Sequence, residues 1–327
     1  MIADTVTSCE YMFSGCTSFN QQVMIPQSVK DCRYMFYNCE KFNQPTNIPE
    51  SVTDCEGMFY KCYEFNQPVY IPPSVKDCTE MFVKCLKLNQ PVTISAAIEC
   101  YRMFSECREF NQPITLPNLI EFCTSMFEYC EAFDKSVTIP DSVRDCSSMF
   151  SHCYNYNQPI TIPPSAENCA SMFECCYKFN QVVDIPNSVE NCDCMFRNCS
   201  ALDKPIHLSD STVTCSLMFY GCRVFNQPIS LPPYLEKCHS MFNGCIKFNQ
   251  SVEIPNTVVD CYSMFEDCKS FNQPLTIPGT IKKYRYMLTG CESFNQPLGI
   301  YDTPEHRKIL FYDDSNFKIL CEETNHF

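Results

Sequence analysis

Residues 35–57 read MFYNCEKFNQPTNIPESVTDCEG, and at Met58 the chain begins the phrase again as MFYKCYEFNQPVYIPPSVKDCTE. This recurrence decides the fold. The Met-Phe pair opens at Met12, Met35, Met58, Met81, Met103, Met126, Met149, Met172, Met195, Met218, Met241 and Met264, and as Met-Leu at Met287. Each step is 23 residues, except the 22 between Met81 and Met103, where ISAAIEC (94–100) replaces IPPSVKDC (71–78). A fixed period of this length marks stacked supersecondary units, none of which can bury its apolar side alone. Thirteen units fill roughly residues 2–300 without a linker or charge run. The pattern predicts one α/β solenoid over 1–300 and a C-terminal cap over 301–327.

Within a unit, FNQPTNIP (42–49) carries apolar residues two apart in most copies, as at Val69 and Ile71 or Val92 and Ile94. That alternation predicts a very short strand, bracketed by prolines that have no N–H to give a ladder. Cys55, Met58 or Phe59, and Cys62 then fall at i, i+3/i+4 and i+7, which predicts a short helix with one buried face. Asp54 is expected to cap that helix, and Ser8, Asp31, Asp77, Asp145, Asn168, Asn191, Thr214 and Asp260 hold the same place.

The frame IPxSVxxC…MFxxCxxF resembles the BspA-type leucine-rich repeat. VxDCxxMFxxCxxFNQP is similar to the BspA-like surface-protein repeat of mycoplasmas, and FNQPxxIPxSV resembles the FNIP repeats of amoebae and their giant viruses. The resemblance spans about 300 residues. It implies a right-handed leucine-rich-repeat arc with strands on the concave side, and a surface, adhesion or interaction protein without catalysis. Cysteine fills columns that hold Met, Ile or Ala in those families.

Twelve cysteines stand three residues before the Met, from Cys9 to Cys261, and thirteen stand four after it, from Cys16 to Cys291. On a helix, Cys55 and Cys62 would lie ~10 Å apart, too far for a bridge within a unit. Bridges along a column remain open. Zinc wants closer ligand spacing and more histidine than five in 327 residues. The simplest reading is a set of small buried free thiols, which requires a reducing compartment. Cys175 and Cys194 depart from the columns in adjacent units and form the candidate disulfide.

Asn-Gln follows the aromatic in eleven units, with Asp134-Lys135 and Asp203-Lys204 in the others. An identical residue in every turn discriminates poorly between partners, so a structural amide ladder is expected. Recognition should use letters that change. The outward strand position holds Met24, Asn47, Tyr70, Thr93, Thr115, Thr138, Thr161, Asp184, His207, Ser230, Glu253, Thr276 and Gly299. These are the candidate concave-face binding residues. His207 is the one histidine of this row, with Lys204 and Asp210 near it in sequence.

No phosphate loop or nucleophile motif is present, so no catalytic residue, metal or cofactor is expected. A net charge of −14 disfavours nucleic acid and anionic membranes as partners. No apolar stretch approaches a membrane span, and the start reads as repeat text, not as a signal peptide. The expected function is a non-enzymatic protein-interaction scaffold in an intracellular, reducing setting. The alternatives are a structural component of a viral particle or other assembly, self-associating through an uncapped N-terminal end, and a surface adhesin.

Overall fold

In the computed structural model, which describes residues 2–311, the chain forms two compact units, Met1–Ala166 and Glu167–Phe327. Within each unit the repeats stack as parallel rungs. In the first, β1 (Val69–Ile71) pairs with β2 (Val92–Ile94), with Val69 opposite Val92 and Ile71 opposite Ile94. In the second, β3 (Val183–Asp184) pairs with β4 (Ile206–His207). Val69 and Ile71 point inward and Tyr70 outward, the alternation that the sequence predicts. The strands stay short because Pro68 and Pro72 flank β1, and a proline nitrogen cannot extend a ladder.

The expected helix in each repeat does not form. Among the described residues the one α-helix is α1 (Pro304–Phe311), after the repeats. The DCxxMFxxC stretch is instead a run of tight turns. Tyr34, just before Met35, has φ 51°, and Asn38, three after it, has φ 56°. Left-handed residues recur at these two places around every Met of the pattern, from Tyr11 and Gly15 to Tyr286 and Gly290. A right-handed helix cannot run through them. The amides alternate as a result. Met35 and Cys39 donate back to Cys32 and Phe36 and close turns, at 3.2 and 2.9 Å. Cys32, Tyr34, Phe36 and Asn38 donate to Asp54, Glu56, Met58 and Tyr60 of the next rung, at 2.7–3.0 Å. The apolar spacing is therefore real, since Cys55, Met58, Phe59 and Cys62 are all buried. Turns produce it in place of a helix.

The polar residue ahead of this stretch also changes its role. Asp54 caps no helix: its Oδ1 accepts the Glu56 amide at 3.0 Å, two residues on. Ser8, Asp31, Asp77, Asp145, Asn168, Asn191 and Asp260 do the same. These are Asx- and Ser-type turns, which fix the backbone at the entry to the ribbon. Thr214 instead donates to Asp193 Oδ1 at 2.6 Å.

Inside, two phenylalanine columns stack. Phe36 lies 5.7 Å from Phe59 with nearly parallel rings, and 4.1 Å from Phe42 of its own rung. At the end of the second unit, α1 takes the place of a further rung. The Tyr286 and Leu288 amides donate to the Ile309 and Leu310 carbonyls, at 2.9 and 3.0 Å. Leu310 and Phe311 are buried. Thr303 accepts the His306 amide at 3.3 Å, and Pro304 opens the helix where no N–H is missed. The rest of the expected cap, residues 312–327, lies outside the described residues.

Candidate binding faces

The outward strand row is exposed at each of its positions, from Met24 to Gly299. Its chemistry differs between the two units. In the first unit Met24 is 76% exposed and Tyr70 51%. With Asn47, Thr93 and the prolines Pro45, Pro68 and Pro91 they line a shallow open groove. Thr115, Thr138 and Thr161 continue the row. In the second unit Asp184 and His207 face each other across β3 and β4, with Asp184 Oδ1 hydrogen-bonded to His207 Nδ1. Ser230, Glu253 and Thr276 follow. Lys204 and Asp210 are the nearest charges in sequence, but the residue that pairs with His207 is 23 positions away. Only the stacking register supplies that neighbour.

The Asn-Gln pairs are consumed by the structure. Asn43 Oδ1 accepts the Asn66 amide at 2.9 Å and the Gln67 side-chain nitrogen at 3.0 Å. Asp134 serves in the same way, taking the Asn157 amide and the Gln158 nitrogen at 3.0 and 2.9 Å. Asp replaces Asn without loss because both acceptor roles need only an oxygen.

The described cysteines are free thiols, and nearly all are buried. Those four residues after the Met are more than fillers. Cys62 Sγ donates to the Phe36 carbonyl of the preceding rung at 3.1 Å, and Cys85 to Phe59 in the same way. The contact recurs along the column to Cys291. Burial pushes these thiols well above their ordinary range, as at Cys62, Cys85, Cys130 and Cys245. They therefore stay protonated and inert at neutral pH. Cysteines of the other column approach methionine sulfur of the next rung, as Cys215 does to Met241 at 3.5 Å. Cys175 and Cys194 occupy the two left-handed positions of adjacent rungs, with φ 59° and 58°. Asn198 Nδ2 lies 3.6 Å from the Cys175 sulfur. Cys194 is pushed up to about 11, chiefly by burial, and hydrogen-bonds with Ser171.

A second aromatic surface was not foreseen. Tyr11 stacks on Tyr34 at 5.0 Å and Tyr37 on Tyr60 at 5.2 Å, with the Lys61 ammonium 5.6 Å from the Tyr60 ring. These residues sit on the turn ribbon, where the expected helix concealed which side chains are neighbours. Among the described residues no group of three or more His, Cys, Asp or Glu is placed to hold a metal ion. No described helix is long and apolar enough to cross a membrane.

Parallel rungs of this kind define a leucine-rich-repeat fold. A leucine-rich repeat protein from Bacteroides ovatus has a similar structure, with a TM-score of 0.54, 20% identity, and coverage of 89% of this chain and 88% of that one. Leucine-rich proteins from Eubacterium ventriosum (TM-score 0.49, 18% identity, covering 93% and 79%) and Faecalibacterium prausnitzii (0.45, 18%, 91% and 89%) are also similar. Among curated proteins none matches the chain. The family described as "Mycoplasma protein of unknown function, DUF285" matches at residues 3–70, 47–139, 121–231, 164–253 and 233–319. The chain belongs to that family.

Proposed function

We propose that this chain is a non-enzymatic protein-interaction scaffold of thirteen rungs that binds a protein partner through its outward strand row. The observation that carries this reading is the groove around Met24 and Tyr70. Large apolar side chains stand in solvent there, in a row where threonine is the commonest occupant. Exposed apolar surface beside a groove marks a contact site more often than a structural need. Variation along the row supplies specificity, and the invariant ladders supply the support. A photo-crosslinking residue at position 47 tests this. Wild type should trap one partner, and M24T/Y70T should lose it at unchanged melting temperature. Equal trapping by the variant overturns the reading.

The buried protonated thiols support a reducing location. Differential alkylation followed by mass spectrometry checks this, and a Cys175–Cys194 cross-link in freshly isolated protein would count against it.

A further inference from the structure

At one corner of many rungs the repeat spends two polar residues on structure. Serine or threonine seven residues before the Met donates its hydroxyl to a carbonyl of the preceding rung in several of them. Ser28 reaches Val6, Ser51 reaches Val29 and Ser142 reaches Ile120, each at 2.6 Å. The residue four before the Met makes the Asx-type turn described above. In the rung of Met126 both are replaced by apolar residues, Leu119 and Phe122. Neither side chain can make the bond of its column. Leu119 is 63% exposed and Phe122 38%.

A third exposed side chain lies on the neighbouring rung. Phe122 pairs in parallel register with Glu99, and Tyr101, two residues beyond Glu99, is 42% exposed. The same two positions touch in an earlier pair of rungs, where Arg33 Nε lies 3.6 Å from Asp54 Oδ2. Register thus sets Tyr101 and Phe122 on adjacent rungs of the first unit, and Leu119 lies three residues before Phe122. Leu119 and Phe122 give up the bonds of their columns, and all three side chains leave apolar surface in water, which repays only when that surface is covered. Asp77, Glu99 and Asp145 stand in the column of Phe122, and Glu121 is beside it. Against these acids stand Lys76 and Arg144. The Lys76 ammonium is already held by the Pro73 carbonyl at 2.8 Å.

We propose that the Tyr101–Leu119–Phe122 corner docks a basic polypeptide segment that carries an apolar anchor. The anchor covers the three side chains while lysine or arginine on either side meets the acidic column. This rests on the interaction-scaffold reading but places a contact away from the strand row.

Fluorescence anisotropy with three labelled twelve-residue peptides tests it. One is lysine-rich with a central Leu-Phe, one has serine in place of that anchor, and one keeps the anchor but has glutamate for lysine. The anchored basic peptide should bind wild type and the other two should bind at least tenfold more weakly. L119S/F122D restores the residues of the repeat. It should weaken the anchored basic peptide at least tenfold, although it adds a carboxylate that a purely ionic contact would favour. Its melting temperature should be unchanged or raised, and M24T/Y70T should bind this peptide as wild type does. Equal binding of the anchor-free peptide, full binding by L119S/F122D, or a lowered melting temperature in that variant overturns the proposal. If M24T/Y70T loses its cross-linked partner while no peptide binds this corner, the inference fails and the scaffold reading stands.

Discussion

The two sides of a rung are built on opposite principles. On the turn side up to four amides of a rung pair with the next, and Met, Phe and Cys are wholly buried, as at Phe36, Met58 and Cys62. On the strand side prolines limit the ladder to two or three residues where it forms at all, and the outward residue changes from rung to rung. Stability resides where the letters repeat, because every rung needs the same complement of acceptors and the same ring volume from its neighbour. The proposed strand-row contact falls on the side that contributes little to holding the stack.

Alkaline pH should disrupt the turn side most. Burial pushes thiols such as Cys55, Cys62, Cys85 and Cys130 well above the ordinary thiol range. The unfolded chain therefore loses these protons first as pH rises. Stability from this source is intact below about pH 8 and falls as pH climbs past 9, by about 1.4 kcal/mol per thiol per pH unit. Denaturant unfolding between pH 7 and 11 should show a loss that steepens through pH 9. A flat profile would mean that the thiols are not buried in protonated form.

Substitutions then grade the contrast between the sides. Phe59→Ala removes a ring stacked on both neighbouring rungs and should cost about 3–5 kcal/mol by denaturant titration. Gly57→Ala should cost about 2 kcal/mol, because Gly57 has φ 55° and an added Cβ would meet the Tyr34 ring. Asn66→Ala breaks one amide ladder and should cost about 1 kcal/mol. Asn66→Asp should be nearly neutral, as Asp134 and Asp203 hold that place in other rungs. Tyr70→Thr on the strand side should change stability by less than about 0.5 kcal/mol while weakening partner capture. A large stability loss there would erase the distinction between the two sides.

The period, the inward positions and the exposed strand row were legible in the sequence. A residue repeated every 23 positions is repeated for its neighbours, and alternate strand residues must face opposite ways. The amide ladder was legible for the same reason. The turn ribbon was not. Twenty-one of its left-handed positions hold residues other than glycine, among them Tyr34, Lys61, Leu217 and Cys194. No glycine pattern announced them, and apolar spacing at i, i+3/i+4 and i+7 fits a helix equally well. Backbone handedness there is set by hydrogen bonds to the next rung, a partner 22 or 23 residues away that no local propensity records. The same holds for the pairing of Asp184 with His207 and for the register of Phe122 against Glu99. The sequence by itself determined which residues are equivalent; the tertiary structure decided which of them meet, because each rung closes its bonds on the next and not on itself.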